Sequence, residues 1–155
     1  MRLSHSTAFF MALSMALIAA TSLTGCQRPE GLYADHAYVR MGPVKGRPSV
    51  AYVTLHGAAA NTVLLSVTSP AAIRSELHES MTQGGMASMV PIKSVPLPAD
   101  GTVEFKPGGK HVMLFDINPS VQPGGSIPLL LTFANNQRIE LNAPVIGAGD
   151  PAPNN

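Results

Sequence analysis

The 155-residue sequence has one cysteine, no tryptophan and few charged residues. A single cysteine rules out an internal disulfide, a CxxC redox pair and a thiolate metal cluster. Charged residues make up 12% of the chain and the formal net charge is +1, which argues against a nucleic-acid-binding protein. No phosphate-binding glycine loop, Gly-x-Ser-x-Gly elbow or HExxH motif is present, so the sequence favours a protein that is not an enzyme.

Long helices are excluded as well. Fourteen glycines and fourteen prolines interrupt the chain, and no segment sustains a 3.6-residue period. Instead, β-rich runs recur at roughly 8–12-residue spacing, which predicts an all-β Greek-key sandwich. Turns at 106–110 and 135–137 are each expected to close a hairpin. The runs are Ala37–Met41, Val50–His56, Thr62–Thr68, Ile73–Glu79, Met89–Lys93, Thr102–Lys106, His111–Ile117, Ile127–Ala134 and Arg138–Asn142.

The amino-terminal segment is a separate unit. Residues 8–20 form a 13-residue apolar block, which is too short to span a bilayer and is typical of a signal-peptide core. It leads into Leu-Thr-Gly-Cys at residues 23–26, which resembles the bacterial lipoprotein processing box. That resemblance implies cleavage before Cys26 and lipid attachment to it, hence a periplasmic protein anchored to a membrane. Gln27 after the cysteine favours the outer membrane in bacteria that have two membranes.

These features divide the chain into four parts. Residues 1–25 are predicted to be the signal peptide and residues 26–35 a lipidated tether. The folded domain is expected over residues 36–146. Residues 147–155 read GAGDPAPNN, a polar Gly/Pro segment that we expect to be disordered.

Histidine and methionine cluster in one part of the domain. Four of the eight methionines (Met81, Met86, Met89 and Met113) lie between His78 and Met113, and His111 lies there too. His111 and Met113 are two residues apart in a predicted strand, so their side chains share a face. His78 ends another predicted strand, before a Met-containing loop at residues 80–88. Packing in the core is the ordinary role of methionine; if these two strand ends meet, they gather two imidazoles and two thioethers.

Such a donor set would select a soft metal. Thioethers bind hard ions poorly, whereas two thioethers with two imidazoles suit Cu(I) or its analogue Ag(I). Zn(II) normally takes cysteine, histidine and carboxylate ligands. Thiolates are easily lost in an oxidising exported compartment. A copper site without cysteine therefore fits an exported protein, although the spacing alone does not choose among the methionines.

The spacing is similar to that of the periplasmic copper chaperones called PCu(A)C. The motif of that family is a His, ten residues, a Met, twenty-one residues and His-x-Met, and His78, Met89, His111 and Met113 match it at every position. The segments 51–55 and 106–109 also resemble family segments, and the resemblance spans roughly residues 37–145. It implies a cupredoxin-like β-sandwich in which these four residues bind Cu(I). It also implies delivery of Cu(I) to a copper-accepting protein, such as a cytochrome c oxidase subunit or an assembly factor.

The sequence departs from the family in three ways. Tyr38 stands where many members have tryptophan, the lipoprotein box adds an anchor, and the tail lacks a Met- and His-rich extension. An outer-membrane anchor would oppose direct delivery to an inner-membrane oxidase. Met81 and Met86 remain open as core, loop or secondary copper-capturing residues. His36 and His56 are expected to be exposed or structural.

Three other functions compete with a chaperone. A copper-buffering or detoxification lipoprotein would use the same site without a specific acceptor. A blue-copper electron-transfer protein needs a cysteine thiolate, and the lipidated Cys26 cannot supply one. A metal-free interaction domain would leave the His/Met spacing unexplained.

Overall fold

The computed structural model describes residues 31–83 and 86–153, with side chains for all of these except residues 82, 83, 86 and 87. The predicted signal peptide and Cys26 lie outside the described residues. Within them every regular element is a β-strand, and no helix is long and apolar enough to cross a membrane. The strands are β1 (Tyr33–Arg40), β2 (Ser49–His56), β3 (Thr62–Thr68), β4 (Ala72–Gln83), β5 (Met86–Pro91), β6 (Val95–Leu97), β7 (Thr102–Phe105), β8 (Lys110–Ile117), β9 (Ser126–Phe133) and β10 (Arg138–Ile146).

The strands form one sheet in the order β5-β4-β8-β7-β2-β1-β10-β9-β3-β6. A parallel pairing of β1 with β10 joins a six-stranded part to a four-stranded part. The two parts also meet at β3 and β4, where the Ser75 hydroxyl donates to the Val67 carbonyl at 2.6 Å. The sheet therefore folds back over its own inner face.

That inner face holds one hydrophobic core. In β9 the side chains alternate strictly, so that Ile127, Leu129, Leu131 and Phe133 are buried. The six-stranded part contributes buried residues from β2, β4 and β8, and these pack in the same cluster. In β4 and β8 this alternation leaves the intervening residues on the outer face, where the histidines lie.

Most predicted strands are present, with three informative differences. The prediction of a hairpin at residues 106–110 is wrong. β7 and β8 both pair antiparallel with β2 and therefore run parallel to each other, so the turn between them links two segments along the same edge of β2. The expected loop at residues 80–88 is mostly strand, because β4 continues to Gln83 and pairs with β5. β6 was not predicted, because a proline at the centre of a segment argues against a strand. Pro96 is tolerated here because β6 lies at the edge of the sheet.

The two ends of the domain also differ from the expected boundaries. β1 begins at Tyr33, within the segment expected to be a tether. After β10, the Arg40 guanidinium donates from Nη1 to the carbonyls of Gly147, Ala148 and Asp150 at 3.3, 3.1 and 2.6 Å. The segment after β10 is therefore tied to the end of β1 in the structure.

Candidate metal centre

Two histidines meet on the outer face of the six-stranded part. His78 of β4 lies directly opposite His111 of β8, and their ring centroids are 5.9 Å apart at an interplanar angle of 39°. Residues directly opposite in an antiparallel pair point to the same side of the sheet. On the other side, their neighbours Leu77 and Val112 are paired and buried in the core.

The methionines divide between the two faces. Met113 is two residues from His111 and shares its face, directly opposite Glu76. Met89 lies opposite Ser80, which is two residues from His78, so Met89 is on the histidine face too. Met81 lies opposite Ser88 and therefore points to the other side. The strand register places Met89, rather than Met81, with the two histidines.

Met86 pairs with Gln83, a register position on the same side as Met81. Its side chain lies outside the described ones. The two described methionines of this β-hairpin are both solvent-accessible: Met81 is 50% exposed and Met89 is 64% exposed. The Met89 thioether can thus be reached from solvent, whereas the histidines lie deeper.

His111 is the more buried of the two histidines, at 4% exposed. Its Nδ1 lies 2.9 Å from the carbonyl oxygen of Gly109, which also accepts the Ser80 backbone N–H at 3.1 Å. A carbonyl only accepts, so Nδ1 carries the hydrogen and donates. His111 Nε2 is buried and has no hydrogen-bond partner among the described residues. Its lone pair is available for a metal.

His78 presents the opposite nitrogen. Its Nε2 lies 2.9 Å from Glu76 Oε2, while its Nδ1 is buried without a hydrogen-bond partner in the described part of the chain. Burial, together with the positive charge of Arg74, lowers the pKa of His78 below its usual value. The ring is therefore neutral at pH 7 and can offer a lone pair.

This face combines two imidazoles with two thioethers, the donor set that suits Cu(I). Two buried ring nitrogens without partners are costly unless something pairs with them, and a bound metal ion would do so. Over residues 31–83 and 86–153, no group of three or more His, Cys, Asp or Glu residues is placed to hold a metal ion.

Sequence reasoning missed the residues that orient the histidines. Glu76 bonds His78, and Arg74 forms an ion pair with Glu76. Glu76 is two residues and Arg74 four residues before His78, so the two-residue period of a β-strand could have placed both on its face. Nothing in the sequence could have shown that the Gly109 carbonyl accepts from His111, because this depends on the loop between β7 and β8.

The remaining described histidines lie elsewhere and have structural contacts, as expected. His56 Nε2 and His36 Nδ1 both bond Asp35 Oδ1, at 3.0 and 2.7 Å. The His56 ring also stacks on Tyr33, with centroids 4.2 Å apart. His36 is exposed, with a left-handed φ of 50° next to a break in the β1–β2 register.

Comparison with known proteins agrees with this architecture. The family described as "Putative lipoprotein LpqE-like" matches residues 32–145. A relative in Leifsonia xyli subsp. xyli (strain CTCB07), "Putative lipoprotein Lxx21020", is 30% identical over 156 residues, covering 92% of this chain and 93% of the relative.

Solved structures share the fold. The copper-bound PCuAC domain from PmoF2 superposes with a TM-score of 0.63 at 20% identity, covering 78% of this chain and 97% of that domain. The solution structure of Cu(I)-DR1885 from Deinococcus radiodurans gives a TM-score of 0.59 at 25% identity, covering 83% of this chain and 85% of that one. The predicted all-β, cupredoxin-like fold is confirmed.

Proposed function

This chain belongs to the LpqE-like lipoprotein family, and we propose that it is an extracytoplasmic copper chaperone that binds Cu(I) through His78, Met89, His111 and Met113. The observation that carries the proposal is the pairing of His78 with His111, each with one buried ring nitrogen left without a partner among the described residues. The fold shared with copper-bound PCuAC domains supports it.

The chemistry required of a chaperone is ligand exchange. Cu(I) would be held by the buried imidazoles and the thioethers, then passed to an acceptor whose ligands bind it more tightly. The exposed Met89 thioether is where an incoming ligand can first replace a donor of this protein. No bond-making step by the protein is needed, which agrees with the absence of a recognisable catalytic motif in the sequence.

The first test is a Cu(I) titration of residues 27–155 against a coloured chelator. We expect one tightly bound Cu(I) per chain, lost in His111→Ala and in Met113→Leu. His56→Ala is the matched control, because it removes a partly buried histidine that contacts Asp35 instead. Failure of the wild-type chain to compete with the chelator, or equal binding by His111→Ala, would overturn the site.

The proposed destination of the copper is the assembly of cytochrome c oxidase copper centres. Delivery would be direct where the anchor and the oxidase share a membrane, and would go through an assembly factor where the anchor lies in the outer membrane. A strain lacking this protein should lose oxidase activity at low copper and recover it with added copper. The His111→Ala form should not complement the strain. Copper sensitivity with normal oxidase activity would instead identify a copper-buffering lipoprotein that uses the same site.

The proposed anchor is a lipid on Cys26, and Gln27 directs the protein to the outer membrane where two membranes exist. The test is cell fractionation of the wild type, Cys26→Ser and Gln27→Asp. We expect Cys26→Ser to leave the membrane fraction that holds the wild type. Gln27→Asp should move the protein to the inner membrane, and an unchanged distribution of both variants would contradict the proposal.

A further inference from the structure

The hydrogen bonds of the two histidines determine which ring nitrogen of each one is left free for the metal. We propose that Glu76 is a positioning residue: held by Arg74, it fixes the His78 ring so that His78 binds Cu(I) through Nδ1, while His111 binds through Nε2. This inference rests on the copper site proposed above and adds a residue outside its four ligands.

The argument begins with the hydrogen inventory of His78. A neutral imidazole has one N–H and one lone pair, and an ionised carboxylate only accepts hydrogen bonds. Because Nε2 lies 2.9 Å from Glu76 Oε2, the hydrogen must be on Nε2. The lone pair is then on Nδ1, the buried atom with no hydrogen-bond partner among the described residues.

Glu76 is itself held in place. Its other carboxylate oxygen, Oε1, accepts from Arg74 Nη1. The Arg74 guanidinium lies over the Phe115 ring at 3.7 Å from its centroid, and Arg74 and Phe115 are directly opposite in the β4–β8 pair. A cation over an aromatic face is a favourable contact. Arg74 is thus anchored across two strands, and Glu76 is left with one oxygen directed to His78.

Arg74 has a second consequence for the site. Its charge compensates that of Glu76, so the carboxylate presents an orienting acceptor and little net negative charge to the metal face. A free carboxylate beside the imidazoles would favour harder cations. The ion pair therefore lets Glu76 orient His78 while the site keeps its preference for a soft ion.

His111 is oriented by a different acceptor and in the opposite sense. The Gly109 carbonyl accepts from Nδ1, which leaves the lone pair on Nε2. Histidines that bind metals commonly donate their second N–H to a carboxylate or a backbone carbonyl, which fixes the tautomer and the ring direction. Here His78 donates to a carboxylate and His111 donates to a backbone carbonyl. His78 would therefore bind the metal through Nδ1 and His111 through Nε2.

The chain contains a matched control. Glu79 is one residue beyond His78, so it projects from the opposite side of β4, where its Oε1 accepts from Lys110 Nζ at 2.6 Å. Glu76 and Glu79 are both about one-third exposed and both pair with a cation. Removing Glu79 therefore costs a similar surface ion pair without touching the His78 ring.

The direct test is the histidine tautomer in the metal-free mature chain, measured by nitrogen-15 NMR of the imidazoles. We expect His78 with its hydrogen on Nε2 and His111 with its hydrogen on Nδ1. Glu76→Ala should convert His78 to a mixture of tautomers. Glu76→Gln should preserve the wild-type form, because its amide oxygen still accepts, and Glu79→Ala should have no effect. A wild-type His78 with its hydrogen on Nδ1 would overturn the inference.

The second readout is Cu(I) affinity by chelator competition. Loss of such an orienting partner typically lowers metal affinity 10–100-fold, and we expect a decrease of about this size in Glu76→Ala. The Cu(I) affinities of Glu76→Gln and Glu79→Ala should stay within about threefold of the wild-type affinity. The midpoint of thermal unfolding of each variant, compared with that of the wild type, shows whether the variant is folded. Unchanged affinity in Glu76→Ala, with tight wild-type binding, would overturn the positioning role alone. No binding by the wild type would overturn the proposed function instead.

Discussion

His78 and His111 face each other across adjacent antiparallel strands, with ring centroids 5.9 Å apart. Both rings lie on the outer side of the sheet, above the buried pair Leu77 and Val112. The core side of these two strands therefore fixes the strand register, and the register fixes the distance between the rings. We therefore expect substitutions on the outer face to alter the proposed copper binding with little effect on stability.

The first prediction concerns the two exposed methionines of the β4–β5 hairpin. Met89→Leu should lower Cu(I) affinity by about tenfold or more, equivalent to about 1.4 kcal/mol, because it removes a thioether from the histidine face. Met81→Leu makes the same chemical change on the opposite face and should leave the affinity unchanged. Chelator competition on both variants is the measurement. Equal effects of the two substitutions would show that the register does not select the ligand.

The second prediction concerns the close approach of Gly57 to the loop before β7. A Cβ at Gly57 would lie 2.2 Å from the Pro98 carbonyl oxygen, a backbone atom that cannot move independently. Gly57→Ala should therefore destabilise the fold by about 1–3 kcal/mol. Gly149→Ala is the control, because a Cβ there meets nothing within 4 Å. Denaturant unfolding of the two variants should differ, and similar midpoints would contradict the packing described.

The third prediction is an acid-sensitive contribution to stability from Asp35. Burial raises the pKa of Asp35, but hydrogen bonds from His56 and His36, together with their charges, outweigh it and lower the pKa below its usual value. A lowered carboxyl pKa adds stability that is present above the unfolded value of about 3.9 and is lost as the pH falls through the folded value.

Asp35→Asn should therefore show a smaller decline in the unfolding midpoint than the wild type as the pH is lowered from about 5 to 2. The double variant His36→Ala/His56→Ala should behave in the same way, because it removes both hydrogen-bond donors to Asp35. Parallel pH curves for all three proteins would refute this origin of the acid sensitivity.

The fourth prediction concerns the segment after β10. The Arg40 guanidinium donates to three of its carbonyls, and the Gly147 N–H donates to Asp150 Oδ2 at 2.7 Å. Arg40→Met keeps much of the apolar stem but removes these donors, so amide hydrogen exchange at residues 147–150 and 152 should accelerate. The midpoint of global unfolding should change little, because the segment lies outside the core. Exchange rates equal to those of the wild type would contradict the proposed tie.

By itself the sequence determined the fold class and predicted the chemistry of the proposed site. Regularly spaced β-rich runs and frequent glycines and prolines indicated short strands, because these patterns depend only on local geometry. The match of His78, Met89, His111 and Met113 to a family spacing indicated a cysteine-free copper site. Both inferences concern residue type and order, which the sequence states directly.

Only the tertiary structure decided how those residues meet. The β4–β8 register brings together His78 and His111, which are 33 positions apart in the sequence, and the β4–β5 pairing separates Met89 from Met81. The loop that was expected to be a hairpin supplies the Gly109 carbonyl to His111. Arg40 reaches a segment 107 residues away. Strand register and loop path depend on how distant parts of the chain pack, and a local pattern in the sequence does not contain that information.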